Sequence, residues 1–462
     1  MDTRSLIVFA LFLACTPTEP AESSGTLETG STGPSGGTDG VSSTGGASVP
    51  TTGGPAETSS EGSGVGDTGS STGDSTGEPV RPGCGDGVLA AGELCFERIE
   101  QELFPWPPED LVLVDLDGDG HLDLLGTAVI PCPLTEHDKL RRHGVGGLAA
   151  ALDPSRDAGS SFEMVTALGD GLGGFTLEVR FESGFSSPGG LVAADVTGDG
   201  QVDAVVLAES TLLVFTGGGD GTLGAAVETV TLEGNATALA SGDLDGDGAI
   251  DLVALGEAVT VLKGDGDGGF TAKVFAADGG LWRSQMVLND GDGDGDLDVL
   301  VARETPQAGA LEVLHNDGAG ALTSVQQVPM VGGASDMVLV EDVKDGRPAL
   351  LVSGYDDGLV LHWLLLQADG TLAAPEPIAG VLLQNLLVGR FDGDGRPDAM
   401  QIDYGGLAAL VNADPWPPAP VMLEDQVFGS WPIGRAVGDV NEDGVDDIVV
   451  GDFALVVFRS DP

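Results

Sequence analysis

The stretch "DLDGDGHLD" sets Asp115, Asp117, Asp119 and Asp123 in one short loop. Carboxylates at positions one, three and five of a curling loop converge on one point. A glycine at position six permits the sharp turn. The carbonyl of His121 at position seven and the carboxylate at position nine would complete an oxygen shell. That is the chemistry of Ca2+, a hard cation taking six to eight oxygen ligands at about 2.3–2.6 Å. The alternative is a solvated acidic turn.

The pattern recurs in register. Loop two offers Asp195, Thr197, Asp199 and Asp203, and loop three Asp243, Asp245, Asp247 and Asp251. Loop four offers Asp290, Asp292, Asp294 and Asp298, and loop seven Asp439, Asn441, Asp443 and Asp447. About five calcium ions are therefore expected. Five copies in register weigh against solvated turns. Eighteen carboxylates stand at the ligand positions of these loops and would repel one another without metal. Binding free energy would then become folding free energy. An EF-hand needs Glu at position twelve and flanking helices, but Gly126 and Ala254 stand there and the flanks read as strands. Dockerin loops come as a close pair with helices. Mg2+ prefers to keep its water.

Two further copies are degraded. The one from Asp342 is a residue short, with Lys344 at position three and Ala349 in place of the ninth carboxylate, and is expected to hold no calcium. The one from Arg390 begins on a base. Its Asp392, Asp394 and Asp398 would hold a weak ion, or Arg390 would serve as an internal cation.

The loops start at 115, 195, 243, 290, 342, 390 and 439, spaced 80, 48, 47, 52, 48 and 49 residues. Seven near-equal units make a repeat architecture. Each unit follows its loop with an apolar run such as "DLVALG" and a second such as "AVTVLKG". A Gly-rich turn such as "DGDGGF" and two more short runs complete it. No window suits an amphipathic helix. About four strands in each of seven units predicts an all-β fold, a seven-bladed β-propeller. The last unit has only two strands before the chain stops. "LCFERIEQELF" (Leu94–Phe104) and "DLVLVDL" (Asp110–Leu116), both within 84–114 or at its edge, are expected to complete its blade and remove an open edge.

On these loops and this period, residues 84–462 resemble the FG-GAP or VCBS repeat family, whose seven-bladed propellers resemble the head of integrin α subunits. The resemblance implies a binding or adhesion module that grips partners through its blade-connecting loops. Some propellers of this kind resemble polysaccharide lyases and phospholipases.

The chain carries a formal net charge of −56 over 462 residues. Such acidity excludes nucleic acid as a partner, since phosphates would find no neutralising surface. It also excludes unaided docking on anionic membranes. Five Ca2+ ions would bring the charge only to −46. The excess serves solubility or repulsion of acidic surfaces. Residues 1–15 read as a leader, with Arg4 before an apolar run from Leu6 to Leu13 too short to span a bilayer. "FLAC" resembles a bacterial lipobox, which implies a lipid on Cys15; Phe12 departs from the usual Leu. By the sorting rule of such lipoproteins, Thr16 rather than Asp after the cysteine implies transport to the outer membrane. If the lipobox fails, the chain is secreted behind an ordinary signal peptide. Residues 16–83 are rich in Ser, Thr, Gly and Pro and read as a disordered tether. A flexible chain of that length reaches about 45 Å root-mean-square.

With Cys15 lipidated, an oxidising setting favours one disulfide among the three cysteines left. "CGDGVLAAGELC" resembles a short element of secreted myxobacterial proteins whose cysteines pair locally, which implies a Cys84–Cys95 bond. Cys132 is then odd, or captures one of them.

The long first spacing carries an insertion over 129–161 with Cys132, His137, Lys139, Arg141, Arg142, His143 and Arg156. It could offer a basic patch to an acidic glycan, a lipid headgroup or a protein. It could equally be a solvated decoration. His137 and His143 lack a helical zinc spacing. His121, His315 and His362 stand singly in different units, and no nucleophile elbow or phosphate-cradling loop appears. The expectation is a lipid-anchored, monomeric cell-surface propeller with no catalytic residues, binding an extracellular protein or glycan. It would touch the membrane only through its anchor. The alternatives are a secreted hydrolase or lyase acting on polysaccharide or lipid, and a purely structural envelope component.

Overall fold

The computed structural model describes residues 94–130, 161–182 and 188–460, except 105–106, 233, 235, 257, 276–283, 305–308, 331–333, 335, 356–358, 379–384, 404–405, 414–415, 419, 426–433 and 452–453. Cys15, Cys84, the segment 16–83 and residues 131–160 of the insertion lie outside the described residues.

The fold is all-β, a seven-bladed propeller of seven four-stranded antiparallel sheets. Strand β1 (Phe96–Gln101) comes first. Blade one is β2 (Pro108–Val114), β3 (Asp123–Ile130), β4 (Ser161–Gly169) and β5 (Phe175–Glu182). Blade two is β6 (Pro188–Ala194), β7 (Asp203–Ala208), β8 (Thr211–Phe215) and β9 (Val227–Thr231). Blade three is β10 (Ala236–Gly242), β11 (Asp251–Gly256), β12 (Val259–Gly264) and β13 (Phe270–Phe275). Blade four is β14 (Ser284–Asn289), β15 (Asp298–Glu304), β16 (Gly309–Asn316) and β17 (Leu322–Met330). Blade five is β18 (Asp336–Lys344), β19 (Arg347–Tyr355), β20 (Leu359–Leu365) and β21 (Glu376–Ile378). Blade six is β22 (Leu386–Gly389), β23 (Asp398–Asp403), β24 (Gly406–Leu410) and β25 (Val421–Asp425). Blade seven is β26 (Arg435–Gly438), β27 (Asp447–Gly451), β28 (Leu455–Ser460) and, as its fourth strand, β1.

The first strands of successive blades touch all round the ring, β26 against β2 included. Second strands such as "DAVVLA" are buried along their whole length. They lie between neighbouring blades and are apolar on both faces, where a half-exposed strand would alternate. Fourth strands face solvent: "FTAKVF" in β13 is exposed at Thr271, Ala272, Lys273 and Val274. The core is correspondingly split between blades. Leu124 and Val165 of blade one meet Val449 and Val457 of blade seven, and Val253 and Val261 of blade three meet Val299 of blade four.

Only one of the two segments expected to close the ring does so. β1 pairs antiparallel with β28 from Phe96 opposite Ser460 to Gln101 opposite Leu455. The second, around 110–116, supplies β2, which opens blade one. Blade seven already held three strands from the C-terminal end, so it had a single place to fill. The insertion is also shorter at its edges than expected, because Val129 and Ile130 pair with Phe162 and Ser161 as ordinary strand residues.

Candidate metal centres

Each acidic loop joins the first strand of a blade to the second, so all of them lie at the same end of the strands. In six blades the position-nine aspartate is the first residue of the second strand, and all six are buried: Asp123, Asp203, Asp251, Asp298, Asp398 and Asp447. Each brackets its blade in the same way. Asp123 Oδ2 accepts the Leu116 N–H at 2.8 Å, and its Oδ1 accepts the Gly169 N–H at the end of β4, also at 2.8 Å. Asp251 does this with Leu244 and Gly264 at 3.0 and 2.8 Å, and Asp447 with Val440 and Ser460 at 2.8 and 2.6 Å. This carboxylate therefore ties the loop's second residue to the third strand, a role that spacing alone did not reveal.

Position one organises the loop itself. Asp115 takes the N–H groups of Gly118 and Gly120 at 2.7 and 3.0 Å; Asp243 takes those of Gly246 and Gly248 at 2.8 and 3.0 Å. Position three accepts the position-five N–H, as Asp117 does from Asp119 at 3.1 Å. Position five accepts the position-seven N–H, as Asp119 does from His121 at 2.8 Å. The chain is left-handed at position four as well as six: Gly118 has φ 77° and Gly120 φ 96°, and nothing lies where a Cβ would be added at either. Conformation, not space, demands glycine there. Glu442 stands at position four of loop seven with φ 59°.

Convergence differs between loops. Asp115, Asp117 and Asp123 bring ligand oxygens within 4.8 Å of one another, as do Asp243, Asp245 and Asp251. In loop four Asp290, Asp292 and Asp294 form one such group, and Asp292, Asp298 and His315 a second. Loops two and seven, with Thr197 and Asn441 at position three, form no such group among the described residues. Thr197 Oγ1 is nevertheless buried without a hydrogen-bond partner, an orphan that a cation would satisfy. In loop seven, Asn441 Nδ2 and Ser460 Oγ both donate to Asp443 Oδ2, at 2.9 and 2.7 Å.

The electrostatics favour a cation. Burial first, then neighbouring carboxylates, raise the carboxyls of Asp123 and Asp251 above their ordinary range, against the backbone N–H donors that hold them down. Asp398 is pushed up to about 7 and Asp447 to about 6, burial being the main cause in both. A positive charge in the loop would reverse these shifts.

Basic side chains supply some of that charge. Lys263, near the end of β12, reaches into loop three, where its ammonium pairs with Asp245 and lies 3.1 Å from Asp247. In loop one the His121 ring pairs with Glu442 of loop seven, joining the last blade to the first. Arg390 does not enter its own loop. Its N–H donates to Asp446 of loop seven at 2.7 Å and its guanidinium lies 3.6 Å from the same carboxylate. Arg396 instead donates to the Asp342 carbonyl of blade five at 3.1 Å and to Asn412 Oδ1 at 2.9 Å. Blade five has no loop here: Lys344 pairs with Arg347 across a two-residue turn with φ 56° at Asp345 and 75° at Gly346. Positive φ at both central residues is the primed turn that suits a tight hairpin.

At the other end of the first strands, Arg435 of β26 lies 3.4 Å from Asp336 of β18 and 3.4 Å from Asn385, just before β22. Burial raises Asp110 of β2 to about 6, with Arg435 pulling the other way, and burial also raises Glu109. Cys95 is buried and disulfide-bonded.

The FG-GAP-like repeat family matches residues 195–254 and 243–301, the units of blades two and three. With seven blades in the fold, this supports the repeat family. No curated protein matches the chain. Among solved structures, one of an Agrocybe aegerita lectin recognising non-reducing terminal N-acetylglucosamine is 15% identical, covering 78% of this chain and 87% of that one at a TM-score of 0.47. The V. cholerae biofilm matrix protein Bap1 is 13% identical over 79% of this chain and 92% of its own, TM-score 0.40. The Photorhabdus luminescens Tc holotoxin pore is 17% identical over 74% of this chain and 15% of its own, TM-score 0.33.

Proposed function

We propose that this chain is a calcium-stabilised binding propeller, tethered by a lipid on Cys15 to the outer membrane or cell surface, which takes an extracellular protein or glycan. The observation that carries the reading is the common placement of the acidic loops. All join first to second strands, their position-nine carboxylates are buried, and in three of them three or more ligand atoms converge. Metal at that end would fix the ring and leave the other end for recognition. There the connections vary in length, and β3 is joined to β4 by the longest of them, residues 131–160. Binding is favoured over catalysis because, among the described residues, His121, His315 and His362 stand in blades one, four and five and share no ligand cluster. The test is a calorimetric Ca2+ titration of the chelator-stripped full chain, with melting followed in parallel. Several sites that Mg2+ does not compete for, and a marked fall in Tm on chelation, are expected. No calcium uptake and an unchanged Tm would refute the reading.

A further inference from the structure

In blades three and four, the third-strand residue just before the N–H that bonds the position-nine aspartate reaches the acidic loop of its own blade: Lys263 and His315. The residues at the equivalent place in blades one, two, six and seven are Leu168, Thr216, Val411 and Arg459, and Arg459 turns instead to Glu97 and the Leu172 carbonyl. Lys263 shows the reach, since its ammonium contacts the position-three carboxylate Asp245. His315 makes the equivalent approach in blade four, with Nδ1 at 3.6 Å from the position-three carboxylate Asp292. Its Nε2 is buried and has no hydrogen-bond partner.

This changes the donor set. In loops one and three the position-nine aspartate converges with positions one and three. In loop four Asp298 converges with Asp292 and the imidazole, all within 4.8 Å. Ca2+ favours oxygen, whereas imidazole suits zinc, copper, nickel and iron. Zn2+ takes imidazole nitrogen and carboxylate oxygen at about 2.0–2.2 Å, and three protein ligands with one water complete its shell. We propose that the blade-four loop is a transition-metal site of the Zn2+ class, ligated by His315, Asp292 and Asp298. The proposal rests on reading the acidic loops as cation sites and adds that one of them differs in kind.

The experiment uses the full chain saturated with Ca2+, equilibrated with Zn2+, then dialysed against Ca2+ alone, with both metals counted. Retention of about one Zn2+ per chain is expected, with loss of that ion in His315→Gln and no fall in bound calcium. Zinc retained undiminished in His315→Gln would place it elsewhere, for instance at His137 and His143, and overturn the proposal. If His315→Gln does not fold, Cu2+ is added to a chain carrying His137→Ala and His143→Ala. Nitrogen hyperfine coupling from one imidazole supports the site, and its absence overturns it. Calcium bound but zinc not retained defeats this inference alone. Neither metal bound defeats the proposed function as well.

Discussion

Gln101 and Phe175 are 74 positions apart, yet the Gln101 side-chain carbonyl accepts the Phe175 N–H at 2.9 Å. The same amide donates to the Gly173 carbonyl at 3.0 Å. Gln101 ends β1, the fourth strand of blade seven, and Phe175 begins β5 in blade one, so the pair fastens the ring where blade seven meets blade one. Gln326 and Leu372 make the same bracket between blades four and five, at 2.7 and 2.9 Å. Gln101→Ala leaves a part-buried N–H and carbonyl unpaired, which costs about 1–3 kcal/mol. Denaturant melts should show this loss. Gln101→Glu should cost more than half as much, since it can still accept from Phe175 but has no donor for Gly173.

The two backbone bonds that Asp123 accepts separate a structural carboxylate from one that serves an ion alone. Asp123→Asn keeps one acceptor and turns an amide N–H toward either Leu116 or Gly169, both of which donate. A loss of about 1–3 kcal/mol is expected even in chelator. Asp119→Asn retains the oxygen that His121 needs. It should cost the chelated protein no stability, and raise its Tm slightly by removing one repelling charge, while weakening calcium binding. Melting both variants with and without Ca2+ distinguishes the two roles; equal losses in chelator would contradict the assignment.

The blade period was legible because every unit repeats loop, two apolar runs and a Gly-rich turn, and because strands buried on both faces read as unbroken apolar runs. The division of 94–116 between two blades is not visible in the repeat period, although "FPWPPED" between its two segments marks a break that no single strand could cross. The candidate ligands were legible as a spacing. What the spacing could not show is contact across a hairpin. Lys263 meets Asp245 from 18 residues away, and His315 meets Asp292 only because β15 and β16 pair in a fixed register. Arg390 illustrates the same limit, since its partner Asp446 belongs to the next blade.

Asp110 makes stability depend on pH. Its carboxyl is raised from 3.8 to about 6, chiefly by burial. A raised folded-state value means the protonated form is favoured in the native protein. The stability it contributes is complete below 3.8 and is lost as pH rises through about 6. The loss is at most roughly 3 kcal/mol, since each tenfold change in proton affinity is worth ~1.4 kcal/mol. Asp110→Asn removes the titration, so its Tm relative to the parent should rise between pH 4 and pH 7. A difference that is flat across this range would show that Asp110 is solvated or held by Arg435.

Lys263 gives loop three a tethered cation. Its pKa is raised, chiefly by its bonds to Asp245 and Asp247, so the ammonium holds its charge across the working pH range. A metal ion entering that loop must displace the ammonium from oxygens it would itself ligate. Loop three should therefore bind calcium more weakly than loop one, whose equivalent register position is the apolar Leu168. Lys263→Met keeps the length and apolar stem of the side chain and removes the competing charge. In chelator the variant should be less stable, because Asp243, Asp245, Asp247 and Asp251 then repel without an internal counter-charge. In Ca2+ it should recover, and one calorimetric site should tighten. The two changes have opposite signs and a single cause. A variant as stable as the parent in chelator, with calcium isotherms superimposable on the parent's, would mean that Lys263 lies along the surface in solution and leaves loop three to the metal.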